Sequence, residues 1–289
     1  ALLAIERLAQ GRFRYLPVLA VAAAVAILAG HPHIALIIAF AATLFAAFRL
    51  VWTYRDAGRP AAARLLALLL GAGLLGLTLG AVRLLPTLAL TAASTRAGGL
   101  DAATASGGEL NPLSLLLGYV YPAFDLPRIA DGGLRAEPLA YAGLLAVVLA
   151  LVAASGRRRE RRVGFLLALL ALSWLLAFGD SAPPYRVLRQ MPVFDLFREP
   201  GRYLLPGVLA LALLAGFGLD ALACTGDTHR RFARRAARLL TIYALGLLAV
   251  LVIGTVLLKG GGDFGNRAID LVFVGGEDAF VNESGWLGA

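Results

Sequence analysis

The sequence predicts an all-α integral membrane protein of about seven transmembrane helices with long extracytoplasmic loops. Three observations predict it. Of the 289 residues, 60% are hydrophobic and 16% charged, with a mean hydropathy of +0.79, more apolar surface than a soluble domain of this length needs. The apolar residues fall in blocks, not at helical or strand periodicity. These blocks approach the roughly 20 residues that a helix needs to cross a bilayer. The basic residues cluster in alternate connections, as the positive-inside bias requires.

The blocks are residues 15–30, 34–52, 65–82, 139–154, 163–179, 203–222 and 239–258. No Asp, Glu or Lys interrupts the middle of any of them. The first is short and ends in Gly30-His31-Pro32, so it spans obliquely or incompletely. Pro32 suits the first turn of the next helix, where its missing N–H costs nothing. Residues 1–258 thus read as one polytopic helical domain with outer loops at 83–138 and 180–202. Residues 259–289 read as an extracytoplasmic tail that starts a further domain. "LLLGYVYPAF" and "MPVFDLF" in the outer loops are too apolar for disorder and should fold as short helices or re-entrant segments over the outer face.

Orientation follows from charge. Residues 1–14, Arg49, the 53–64 linker, 156–162 ("GRRRERR") and 224–238 carry 17 of the 27 basic residues. The other 10 are spread over a much longer stretch, where most acidic residues also lie. The first set should face the cytoplasm, with the N-terminus of the chain inside. A basic rim beside anionic headgroups accounts for the pI of about 10.4, so no nucleic-acid partner is called for. The single cysteine, Cys224, has no internal disulfide partner and no Cys or His at metal spacing. The chain opens at Ala1 with "ALLAIERLAQ", which reads as the tail of an earlier element, so an N-terminally truncated fragment is expected.

Some motifs are decoys. "GAGLLG" (Gly71, Gly73, Gly76) matches the dinucleotide pattern G-x-G-x-x-G, yet it lies inside an apolar block, with no preceding strand to aim it at a pyrophosphate. No NAD is expected. Gly76 and Gly80 instead form G-x-x-x-G, which lets membrane helices approach closely. "KGGGDFG" lacks the G-K-[ST] ending of a P-loop.

The candidate site residues lie on the outer side. In "FREPGR" (197–202), Pro200 should open a helix near Arg202, leaving Arg198 and Arg202 one turn apart at its entrance. Two guanidiniums beside the positive end of a helix dipole would hold a phosphate or diphosphate bidentately; headgroup anchoring with a Glu199 salt bridge is the plainer alternative. His31 and His33 could donate to a phosphate or sugar, or simply form a polar interfacial turn. Two His with no third ligand make no zinc site. In the large outer loop, mixed carboxylates and arginines, Arg96 among them, suit sugar hydroxyls and a general base. Asp125, in "YPAFDLPR", is the preferred carboxylate because its apolar neighbours would hold it near the surface.

"GHPH" (30–33), "LLPTLALTAASTRAGG" (84–99), "YAGLL" (141–145), "FGDSAPPYRVL" (178–188), "FREPGRYLLP" (197–206) and "LAGFGLDAL" (214–222) occur in an order that resembles the YfhO family of bacterial multi-pass membrane proteins. That family is similar to GT-C glycosyltransferases. The resemblance covers residues 30–222 and departs at His33, where glutamine would be expected. It implies a bacterial cytoplasmic-membrane protein that moves a sugar from a polyprenyl-phosphate donor to a cell-envelope glycan or glycolipid acceptor on the outer face, with membrane lipids around it. It also implies that Arg198, Arg202, His31, His33 and Arg96 serve the donor phosphate and that Asp125 is a local candidate base. GT-C enzymes usually carry their catalytic Asp in the first outer loop, and the resemblance implies that this chain should begin downstream of it. A divalent cation stays open, with no recognisable cage for one. A lipid-linked-sugar transporter or flippase would call for mid-membrane ionisable residues and repeated broken helices, and neither is seen. A non-catalytic membrane subunit is the remaining alternative.

Overall fold

The computed structural model describes residues 1–94, 142–156, 160–191, 193–197 and 199–223, with isolated helical positions between 234 and 249. Its described elements are all helical: α1 (Leu2–Ala9), α2 (Leu16–Leu28), α3 (Pro32–Ala92), α4 (Leu144–Gly156), α5 (Arg161–Ala177), α6 (Pro183–Arg189) and α7 (Leu204–Ala223), with short 3-10 turns between. Two compact units result, Ala1–Gly108 with Leu175–Pro206, and Glu109–Trp174 with Gly207–Ala289.

The first unit is built on α3, whose 61 residues would run about 90 Å if straight. They do not run straight. Gly58 sits at φ 79°, ψ −178°, a region open essentially to glycine alone, and it divides the helix into 32–57 and 59–92. The side chain of Arg83 reaches back to the Gly30 carbonyl at 3.3 Å, although 53 residues separate the two. The halves therefore double back on each other. Gly76 meets Ala20 and Ala23, and Gly80 meets Ile27. Residue numbers rise together in these contacts, so 59–92 runs parallel to α2 and 32–57 antiparallel to both.

Sequence alone separates helices at 34–52 and 65–82 with a linker at 53–64 and a loop from residue 83. The structure instead carries helix up to Gly58 on one side and on to Ala92 on the other. The linker's Arg and Ala residues are good helix formers, so only Gly58-Arg59-Pro60 punctuates it. Pro60 falls in the opening turn of the second half, where proline is tolerated.

One end of this unit holds α1, the Phe13–Tyr15 turn and the Gly58 reversal. There α1 buries Ala4, Ile5 and Leu8 in a cluster with Leu19, Leu65 and Ala72. Glu6 pairs with Arg49 at 3.2 Å, both side chains largely shielded. The opposite end holds residues 30–33 and Arg83.

In the second unit α4, α5 and α7 line an open apolar pocket of about 330 Å³, with Leu151, Leu167, Leu170, Trp174, Leu211 and Leu214 among its walls. A Cβ on Gly218 would run into the Leu149 carbonyl, so only glycine permits α7 to approach α4 this closely.

Among the described residues two helices are long and apolar enough to cross a membrane: α3, and the 24-residue stretch Pro200–Ala223 that includes α7. Only 11% of the most apolar window of α3 is buried; Leu66, Leu70, Leu74, Leu77 and Leu85 are all exposed. A soluble core helix would bury that face, so this surface calls for an apolar surrounding. The blocks expected at 139–154 and 163–179 correspond to α4 and α5. Most of 239–258, the loop residues 95–138 and the 259–289 tail lie outside the described residues.

Candidate anion site at the His31–His33 turn

The site begins with a chain reversal. Gly30 adopts φ +88°, and a Cβ there would lie 3.0 Å from Arg83 Nη2. Glycine is favoured by the left-handed backbone and leaves room for the close guanidinium. His31 follows as the N-cap of α3, exposed, its Nδ1 accepting from Ile34 N–H at 3.4 Å. This satisfies one of the amides that a helix start leaves without a partner.

His33 lies two positions further and is 2% exposed. Its ring stacks on Phe197, with centroids 4.7 Å apart and planes within 9°. Tyr203 meets it edge-on at 5.9 Å. Arg202 Nη1 lies 3.2 Å from His33 Nδ1. A guanidinium can only donate, so Nδ1 is the acceptor and the ring proton sits on Nε2. The two histidines expected to act together therefore occupy different settings: His31 caps a helix in the open, while His33 is buried and holds an arginine.

Arg202 belongs to the 3-10 turn Pro200–Tyr203 that leads directly into α7, with Pro200, Gly201 and Tyr203 buried. Proline in that first turn gives up an N–H that would have no helical partner. The segment before it is strained. Val193 (φ 79°) and Glu199 (φ 69°) both adopt the left-handed region, an outlier for a β-branched residue. Each such residue costs roughly 1–3 kcal/mol. The stretch between them carries Phe194, edge-on to Phe40 at 6.0 Å, and Phe197 against His33. Aromatic packing is what holds this conformation.

Behind Tyr203 stands Tyr185 of α6, 4% exposed, at 6.1 Å edge-on. Burial, reinforced by the Asp180 carboxylate, pushes its phenol up to about 12. Asp180 pairs with Arg189 at 3.7 Å and accepts from Arg186 through its backbone carbonyl. These contacts tie α6 to the turn before it.

The structure thus brings together Arg202, His33, Arg83 and His31 around one turn. Arg198, Arg96 and Asp125 lie outside the described residues. The aromatic wall of Phe40, Phe194, Phe197, Tyr185 and Tyr203 is absent from the sequence-based site. Its one local signal was the aromatic content of "MPVFDLF". Compared with known proteins, the chain matches no family model, and no curated protein and no solved structure is significantly similar to it.

Proposed function

We propose that this chain is a multi-pass membrane protein of the glycosyltransferase-like kind that its motifs resemble. It transfers a sugar from a polyprenyl-phosphate donor to a cell-envelope glycan or glycolipid on the outer face of the bacterial cytoplasmic membrane. About seven membrane helices carry the fold in this reading, with the N-terminus of the chain inside. The observation that carries the proposal is the Arg202–His33 contact of 3.2 Å, backed by stacked aromatics. It orients a guanidinium in the first turn of an apolar helix, where a bidentate donor suits a lipid-borne phosphate.

In the transfer, the acceptor hydroxyl loses its proton to a carboxylate and forms the new glycosidic bond as the bond from sugar to phosphate oxygen breaks. The leaving polyprenyl phosphate keeps the electron pair. Arg202, with Arg198 and Arg96, would stabilise that charge, and His31 adds a donor at the exposed rim. His33 serves as a positioning residue for Arg202. Asp125 is the proposed base in this chain, although GT-C enzymes usually place theirs in an earlier loop. The exposed apolar face of α3 would lie in lipid.

The test uses the chain in lipid nanodiscs with a labelled polyprenyl-phosphate hexose, measuring donor binding and release of polyprenyl phosphate. Arg202→Ala should weaken donor binding by roughly 10- to 100-fold, the range for a hydrogen bond to a charged group. Unchanged binding and turnover in Arg198→Ala/Arg202→Ala would reduce the motif to an interfacial anchor.

A further inference from the structure

At the end of the first unit opposite Arg202, arginines converge on exposed aromatic surface. Arg64, in the first turns of 59–92, lies over the Phe13 ring at 4.1 Å. Arg12 and Arg14 flank Phe13 in sequence, and Arg55 lies over Trp52 at 5.0 Å, just before the Gly58 reversal. Arg59 follows that reversal. All five arginines are exposed, and Phe13 is 41% exposed. Arg49 is excluded from the group because Glu6 already pairs with it. Asp56 is the sole carboxylate in the 53–64 stretch.

The patch is continuous with apolar surface on the same two helices. Val18 and Val21 of α2 and Leu66 and Leu70 of α3 are each 45–64% exposed and begin within one or two turns of the arginines. A ligand that fits has a negative head for the guanidiniums and hydrocarbon for the band beside them. Nucleic acid or a free anion would use only the first. The rings hold guanidinium planes in place and lower the ordering entropy of binding.

We infer that this surface, formed by the Phe13–Tyr15 turn and the two sides of the Gly58 reversal, binds the headgroup of an anionic phospholipid. The inference shares the membrane setting proposed above but does not depend on sugar transfer.

Native mass spectrometry of the full chain in zwitterionic detergent, offered equal phosphatidylglycerol and phosphatidylcholine, tests it. The wild type should retain phosphatidylglycerol preferentially. Arg64→Gln and the double variant Arg12→Gln/Arg59→Gln should lose roughly fivefold of that preference per arginine removed. The double variant leaves the Arg64–Phe13 contact intact, so it separates lost charge from lost fold. Arg186→Gln, at the other end of the unit, should behave as wild type. Equal retention of both lipids by the wild type, or undiminished preference in both variants, would overturn the proposal. Displacement of the lipid by equimolar inorganic phosphate would reassign the patch to free anions, and displacement by an oligonucleotide would reassign it to nucleic acid.

Discussion

His33 and Arg202 lie 169 residues apart and meet at 3.2 Å, so the histidine's role can be separated from mere packing. His33→Ala removes the acceptor of a part-buried guanidinium, a change that costs about 1–3 kcal/mol. It should lower the melting temperature in detergent and weaken donor binding together. His33→Asn can offer an amide oxygen near the position of Nδ1, and should recover most of the binding if orientation of Arg202 is what matters. Equal loss in both variants would mean that the stacked ring, not the hydrogen bond, is the essential feature. Tyr185 allows a pH test beside this pair. Its pKa is raised from 10 to about 12 by burial and by Asp180, so the fold favours the neutral phenol. Its stabilising contribution is whole below pH about 10 and is lost as pH rises towards 12. The difference in tyrosinate absorbance between wild type and Tyr185→Phe should therefore titrate with a midpoint near 12; a midpoint near 10 would place Tyr185 in solvent.

At the scale of the helices, Gly76 and Gly73 predict opposite outcomes for the same substitution. A Cβ on Gly76 would lie 2.7 Å from Ala23 Cβ and 2.9 Å from the Ala20 carbonyl, whereas one on Gly73 meets nothing within 4 Å. Gly76→Ala should push α2 away and lose about 1–3 kcal/mol, the usual cost of overpacking. Gly73→Ala should be neutral or stabilise by up to about 1 kcal/mol through helix propensity. Thermal unfolding in detergent reads both. This distinction shows how much the sequence disclosed. The G-x-x-x-G pattern marked Gly76 and Gly80 as packing glycines, because close helix approach leaves a local signature in residue size. Pro200 likewise announced the start of the helix that holds Arg202. The join at Gly58 is hidden in the sequence because the polar linker around it is made of helix formers, while polarity by itself points to a loop. The partnership of His33 with Arg202 was hidden for a different reason. Both lay on polar islands assigned to the same side, but nothing local to either names its partner, and the aromatic wall that seats them comes from three separate segments.

At the scale of the whole first unit, charge separates along the helices. Among its described residues, the end with α1 and Gly58 carries Arg7, Arg12, Arg14, Arg49, Arg55, Arg59 and Arg64 against Glu6 and Asp56. The end with Arg202 carries Arg83, Arg186, Arg189 and Arg202 against Asp180, Asp195 and Glu199. The first end is strongly positive and the second nearly balanced. The segment 32–57 between them has 26 residues, about 39 Å of helix, enough to cross a hydrocarbon core of about 30 Å. In the orientation proposed above, the positive-inside bias would put the Gly58 end in the cytoplasm and the Arg202 end outside. Ala29 and Ala57 mark the two ends, and both are exposed. With the only cysteine removed by Cys224→Ser, Ala29→Cys should react with a membrane-impermeant maleimide in intact spheroplasts. Ala57→Cys should react only after permeabilisation. The reverse pattern would invert the topology and move the Arg202 site to the cytoplasmic face, where an outer-face transfer could not occur. Reaction of both positions in intact spheroplasts would show that 32–57 does not span the membrane, and the exposed leucines of α3 would then need a protein partner to cover them.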